Sequence, residues 1–509
     1  MVPLVGDHGA ERIVIFNRPV GFGLRASAAV SGRICMTLFV CVLASAAMAE
    51  PQSRSVEPDL KKIDVYVADL FDRSHLPGVS IGVVQAGGKV YFRGFGVSRD
   101  DVPVGEDTLF VLGTTSKAFT ALATLQLVDA GKLALEAPVR RYLPAFIHGS
   151  PLASRISVRS LLNQTSGLSE AAGDQPVWSA GETGPNAIRD WVGSIGPVAL
   201  DRPAGTYEYS NANYVVLGAL IETASGQSYA QYMRQHVFLP LQMTDSRAAL
   251  SEVNENRLAR GHKKVFGINY EADEPYPPAF VPAGFLITSA RDLEKYLAAQ
   301  LPGSPTAGAL NLSASSLALW HEGGPAMDRG STKRYAMGWI TATFNGVPVV
   351  AHPGDTGVFS SEFVLVPSEN WGVFVLANGS GWLSSGYLHE MASGLVSILV
   401  GRQPRDDAAV HHIVFTIYSA VMVIPLLQLL ALWRWRNRTG SLVRRLWPVA
   451  LHLAAAIALI AVFPRLLFGI PFSELVATFP DMGCAALASG VLAVAALTFV
   501  FCGEPMPTC

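Results

Sequence analysis

After Gly401-Arg402-Gln403-Pro404-Arg405 the chain changes character, and that change limits what it can fold into. Three apolar runs follow: Ile413 to Trp433, Leu446 to Phe463 and Met482 to Phe501. At ~1.5 Å rise per residue each reads as long enough for a hydrocarbon core of ~30 Å. The second is marginal, bounded by Pro464 and Arg465, while the first and third hold no charged residue. The expected organisation is an N-terminal extension and signal over 1–49, a globular domain over 50–405, and a membrane domain of three transmembrane helices over 406–509.

Composition agrees. Hydrophobic residues make up 50% and charged residues 15%, too apolar a balance for a purely soluble chain. The formal net charge of -2 offers no basic face for phosphates, which argues against nucleic acid as a partner.

Arginines orient the membrane part. Arg434, Arg436, Arg438, Arg444 and Arg445 crowd the segment between the first two runs, which therefore reads as cytoplasmic. Pro464 to Asp481 carries one arginine and two acids and reads as outward-facing. Three spans then place residues 50–405 outside a bacterial inner membrane, facing the periplasm or cell exterior. Arg33, the short apolar run Ile34 to Ala47 and the small-x-small site Ala47-Met48-Ala49 predict a secretory signal cleaved after Ala49. The long lead before it raises the alternative of an internal start at Met36.

The cysteines are Cys35, Cys41, Cys484, Cys502 and Cys509, so the globular domain carries none. A disulfide, a cysteine zinc site and a cysteine nucleophile are excluded there. Val79 to Gln85, the Gly87-Gly88 turn and Val90 to Phe95 predict a β-hairpin. Glu362 to Pro367 and Gly372 to Ala377 predict a second. Between them lie helical patterns such as Ala118 to Ala130 and Ile188 to Ile195. The fold class is α+β, with strands from both ends meeting in one antiparallel sheet flanked by helices.

Three segments carry chemistry. In Phe110 to Leu122, Thr114 and Lys117 stand three residues apart at a helix start, which places an amine beside a hydroxyl on one face. The helix N-terminus favours negative charge developing there. In Tyr207 to Tyr214, Tyr209-Ser210-Asn211 puts a phenol and a carboxamide on a tight loop. A phenol beside an ammonium can serve as general base, and the amide can orient the lysine. In Ala351 to Ser361, His352 and Gly354 would line a strand edge whose backbone N–H groups face an oxyanion.

In this order the segments resemble the serine β-lactamase and penicillin-binding-protein superfamily, which carries Ser-x-x-Lys, Tyr-x-Asn and Lys/His-x-Gly. Class C β-lactamases, D-alanyl-D-alanine carboxypeptidases and related esterases belong to it. Leu76 to Ser80, Leu161 to Leu168, Pro240 to Thr244 and Pro282 to Phe285 add to the likeness, which covers nearly all of residues 60–380. The resemblance implies an antiparallel sheet covered by helices, an all-helical lobe and a site between them. It implies acyl transfer through a covalent ester, with neither metal nor cofactor. Lys117 would activate the nucleophile, Tyr209 would shuttle the proton, Asn211 would position Lys117, and His352 would supply the third motif's basic residue. Gly354 and Ser116 would contact substrate. The implied partner is a small acyl compound: a D-amino-acid peptide, a β-lactam or an ester.

One departure matters. The nucleophile position holds Thr114, whose β-methyl restricts χ1 and crowds a tetrahedral intermediate. Three readings stay open: a slow or specialised threonine hydrolase, a silent binding module, or use of Ser116 through a shifted helix start. His411 and His412 form no metal site in this reading, because neighbouring helix residues point apart.

Overall fold

The computed structural model describes residues 58–147, 152–174, 184–195, 205–265, 268–273, 275–435, 442–465, 472, 475–476 and 480–502. The expected signal over 1–49 lies outside the described residues.

Both hairpins form. β1 (Gly78–Gln85) pairs with β2 (Gly88–Arg99), which also pairs with the short β3 (Val102–Pro103). Near the other end β4 (Arg334–Ala336), β5 (Trp339–Phe344), β6 (Val347–Asp355), β7 (Ser360–Val366) and β8 (Trp371–Ala377) follow in sequence. The termini meet through β1 and β8, antiparallel from Val79↔Ala377 to Val84↔Gly372. The eight strands form one sheet of order β3-β2-β1-β8-β7-β6-β5-β4.

Alternation along the strands gives the sheet two buried faces. Val79, Ile81 and Val83 of β1 join Val373 and Val375 of β8 against α1 (Leu60–Ser74) and α5 (Trp382–Leu399). Val84, Phe363, Leu365 and Phe374 face the other way, into the larger core containing α2 (Ser116–Asp129), α3 (Asn211–Ser225) and α4 (Ala290–Ala299). Helices α2 and α3 are buried almost all round, as central helices are. This helical part fills the chain between the sheet's two halves, so the site-bearing ends of α2, α3 and β6 converge at one edge.

The C-terminal part is less regular in its middle element than at its two ends. Helix α6 (Ala408–Trp435) and helix α8 (Pro480–Cys502) are long and apolar enough to cross a bilayer, over Phe415–Arg434 and Asp481–Thr498. Between them, α7 (Leu442–Ile457) passes into a π-helical turn at Ala458–Val462, and its apolar part is only Leu446–Val462. Its 17 residues give ~26 Å at ~1.5 Å each, short of a ~30 Å core. Among the described residues two helices are thus long and apolar enough to cross a bilayer, and a third transmembrane helix is not established.

Candidate active site

Strand β6 shapes the site by outrunning its neighbour. Its pairing with β5 stops at Ala351↔Ile340, whereas its pairing with β7 continues to Asp355↔Ser360. Residues 352–355 thus have a strand partner on one side only. That open edge accommodates Pro353, which has no N–H to donate.

The turn before α2 packs against that edge. Gly113 has φ +61°, a left-handed conformation suited to glycine, and a Cβ there would sit 2.5 Å from Asp355 N. A Cβ on Gly354 would meet Ser361 Oγ at 2.2 Å and Leu112 O at 2.4 Å. Two glycines thus let two backbones touch. Thr115 Oγ1 and Ser361 Oγ both lie within donor reach of Leu112 O, at 2.9 and 2.6 Å.

Thr114 is partly exposed, and its Oγ1 donates to Pro353 O at 2.7 Å. Lys117, one turn on, is 0% exposed. Its Nζ donates to Asn211 Oδ1 and to Ala283 O, both at 2.7 Å. It also lies 4.8 Å from the ring centroid of Tyr209 and 5.6 Å from that of Tyr214, cation–π distances. Burying an ammonium without such partners would be prohibitive.

A buried glutamine fixes the second segment. Gln164 takes a positive φ of 58° and is 0% exposed. Its Oε1 accepts from Ser210 N at 3.0 Å and also from Asn213 Nδ2. Ser210 directly precedes α3, which begins at Asn211, and its Oγ donates to Ser169 O at 2.8 Å. The chain from Leu161 to Leu168 thereby sets the angle at which Tyr209 and Asn211 enter the site.

His352 is 2% exposed. Its Nδ1 lies 2.6 Å from Pro353 O and its Nε2 3.4 Å from Tyr335 Oη. A carbonyl only accepts, so the Nδ1–H tautomer follows from the hydrogen bond. Burial, assisted by the Lys117 charge, pushes its pKa down to about 3, against the upward pull of the Pro353 hydrogen bond. His352 is neutral at ordinary pH. It supplies shape and a hydrogen bond, not the positive charge that a lysine in the third motif would bring.

Thr114, Lys117, Tyr209, Asn211, His352 and Gly354 thus lie around one corner. Ser116 does not join them. It is 0% exposed and its Oγ accepts from Leu286 N at 3.1 Å, which leaves it no surface for a substrate; the expected contact is corrected to a brace between α2 and the neighbouring chain. Sequence reasoning missed Tyr335. This phenol is buried, with its ring 5.8 Å from those of Tyr207 and His352 and 6.4 Å from that of Tyr209. Burial holds its pKa above the usual phenol value. Its strand is three residues long, too short to leave a periodic signal. Among the described residues no His/Cys/Asp/Glu group could hold a metal ion.

A family model described as Beta-lactamase matches residues 63–396. Protein flp of Staphylococcus aureus strain MW2 is 27% identical over 426 residues, covering 81% of this chain and 82% of its own. Unguisins hydrolase ungD' of Aspergillus campestris is 29% identical over 330 residues, covering 61% of this chain and 60% of its own. Among solved structures, the octameric penicillin-binding protein homologue from Pyrococcus abyssi superimposes with a TM-score of 0.59 at 26% identity, over 68% of this chain and 78% of that one. D-amino acid amidase from Ochrobactrum anthropi SV3 shares the fold, with a TM-score of 0.55 at 24% identity, over 67% and 96%. A match spanning the sheet, the helical core and all three site segments makes this chain a member of the β-lactamase family.

Proposed function

We propose that the domain over 50–405 is an acyl hydrolase working through a covalent ester on Thr114. As Thr114 Oγ1 attacks a carbonyl carbon, its proton passes to the Lys117–Tyr209 pair. The bond to the departing amine or alcohol breaks, that group takes the proton back, and water then cleaves the ester. The backbone edge of β6 beside Gly354 would donate to the developing oxyanion. The observation that carries this reading is the buried Lys117, held by Asn211 and Ala283 one helical turn from Thr114. The substrates in view are D-amino-acid amides and peptides, β-lactams and small esters, the acyl class to which the family's chemistry points.

A second reading has its own support. The Thr114 hydroxyl donates to Pro353 O, so its only proton is directed at a carbonyl that cannot accept it in reaction. In that reading the domain binds acyl ligands without turnover.

Residues 406–509 hold the domain on a membrane. Orientation requires only α6: one crossing puts the domain opposite the arginines of 434–445, outside if those stay cytoplasmic. Intact-mass analysis of the purified chain after exposure to a fluorophosphonate and to a penicillin tests the enzyme. An adduct mapping to Thr114 supports it. No adduct on the wild type, with one on Thr114→Ser, favours the silent module.

A further inference from the structure

The first turn of α6 is clamped to the globular domain. His411 Nε2 lies 2.6 Å from Glu390 Oε2, and Glu390 is 3% exposed. The imidazole also stacks on Tyr387, with ring centroids 4.1 Å apart and planes 5° from parallel. One turn earlier, the Asp407 charge acts on Tyr66, which packs against Gly394 of α5 and donates to Glu390 O at 2.8 Å. Helix α6 therefore runs antiparallel to α5 and passes the start of that helix as it leaves the domain. Strand β8 ends at Ala377, just before α5 begins and opposite Val79 of β1. The exit of α6 is thus at the end of the sheet where β6 reaches Asp355. Ser380 and Ser385 Oγ donate to that carboxylate, at 2.7 and 3.3 Å, and tie the site edge to the start of α5.

A small hairpin covers this end of the sheet. Its strands, His262–Val265 and Ile268–Glu271, pair antiparallel, and the first also pairs with Gly379–Ser380 just after β8. Side chains alternate between its two faces. On one face Lys264 Nζ donates to Ser74 O at 3.0 Å and Asn269 Nδ2 to His75 O at 2.6 Å, so that face lies on the end of α1. The register sets Lys263 opposite Tyr270 and Val265 opposite Ile268 on the other face, which turns away from the domain. Ile268 is 70% and Tyr270 43% exposed. In water the outer face of such a hairpin should be polar. These four residues are two aliphatics, a phenol and a cation, with no acid, as in segments that lie in a membrane interface. The hairpin also adjoins the clamp: Arg73, one residue before Ser74, sits 6.0 Å from the centre of the Tyr387 ring on which His411 stacks. The apolar stretch of α6 begins at Phe415, four residues beyond His411 and ~6 Å along the helix.

We propose that the outer face of this hairpin docks on the surface of the bilayer that α6 crosses. The clamp at His411 sets the angle between helix and domain. Val265 and Ile268 enter the boundary between headgroups and acyl chains, and Lys263 meets lipid phosphate. Through Ser380 and Ser385 the same docking holds Asp355 and the edge of β6 at a fixed height above the lipid. The inference rests on the membrane reading of residues 406–509 and is independent of any chemistry at Thr114.

The test uses the full chain in vesicles of phosphatidylcholine and phosphatidylglycerol. A fraction of the phosphatidylcholine carries a diazirine at the glycerol end of an acyl chain, and labelled peptides are mapped after irradiation. The expected result is labelling of the hairpin peptide at least fivefold above that of the peptide holding Leu239. That leucine is 55% exposed but lies by the far end of α2, where Gln126 Nε2 donates to His236 O at 3.0 Å. Combining Ile268→Asp with Tyr270→Asp, both at exposed positions, should cut hairpin labelling at least fivefold and leave α6 labelling unchanged. A labelled α6 with the hairpin at the Leu239 level would show the domain standing clear of the bilayer and overturn the proposal. Hairpin labelling untouched by the double variant would overturn it too, since the contact would not run through this face. Absence of label from α6 as well would remove the membrane reading, and the proposal with it.

Discussion

Thr114 Oγ1 and His352 Nδ1 share one acceptor: both lie within hydrogen-bond distance of the Pro353 carbonyl oxygen, at 2.7 and 2.6 Å. The proline supplies that oxygen on the open edge of β6 and no N–H of its own. Residues from the first and third motifs thus meet at one carbonyl. A reacting Thr114 must leave this acceptor, and its β-methyl limits the rotamers by which it can do so.

Replacing Thr114 with Ser frees that rotation. We expect Thr114→Ser to form the acyl adduct at least ~10-fold faster than wild type, since misplacement of a reacting group by ~1 Å costs ~10²-fold. Adding Lys117→Ala should abolish the gain. Timed intact-mass spectra measure both, and a serine variant no faster than the threonine enzyme would mean that the rotamer is not what limits it.

Much of this site was readable from residues alone, for a physical reason. The hairpins at Gly78–Arg99 and Ser360–Ala377 announce themselves because turn chemistry and strand residues act locally. Thr114, Lys117, Tyr209, Asn211 and His352 are candidates because their order and spacing resemble the family's three motifs, each of which is weak alone. Pro282 to Phe285 stood out as a phrase, but its purpose did not: Ala283 contributes a backbone oxygen, and no side chain reveals that. Gln164 lies in Leu161 to Leu168, which adds to the likeness, but its bonds to Ser210 and Asn213 span long sequence separations and leave no local signal; Tyr335 acts from an unremarkable neighbourhood. Ser116 was misjudged because a polar residue beside a motif looks functional until its burial is known. The middle apolar run stays short because its apolar stretch spans only Leu446–Val462.

Gly354 offers a purely steric test. A methyl group there would press on Ser361 Oγ, Leu112 O and Thr115 N, the last at 3.1 Å, two of them backbone atoms that cannot swing aside. Gly354→Ala should cost about 2–3 kcal/mol of stability and shift Thr114 away from β6. Chemical denaturation reads the first effect and loss of probe labelling the second; a stable, fully labelled variant would contradict the close approach.

Glu294 on α4 makes a prediction of opposite pH sense to that of His352. Burial, with Glu106 adding to it and Lys89 at 3.9 Å opposing it, pushes its carboxyl up to about 7. The folded state therefore holds a proton that the unfolded state releases near pH 4.5. Stability from this residue is full below that pH and lost as pH rises toward 7. Glu294→Gln should match wild type near pH 4.5 and exceed it by about 1–2 kcal/mol at pH 8, after discounting for solvent and Lys89. Urea midpoints at the two pH values check this, and an equal difference at both would rule it out.

His352 should make the domain acid-sensitive. Its pKa falls from about 6.5 unfolded to about 3 folded, so the folded state resists a proton that the unfolded state accepts. Stability is then full above pH 6.5 and drains as pH falls through the interval toward 3. Between pH 6.5 and 5 the loss is about 2 kcal/mol, from ~1.4 kcal/mol per unit. A glutamine keeps an N–H for Pro353 O but does not titrate. His352→Gln should therefore lose about 2 kcal/mol less than wild type over that range, whatever its absolute stability. Urea denaturation of both proteins at pH 5.0, 5.75 and 6.5 gives the slopes directly. Parallel slopes would mean that His352 opens to solvent and takes its proton without unfolding, and the shared acceptor at Pro353 would then be a loose contact, too weak to restrain Thr114.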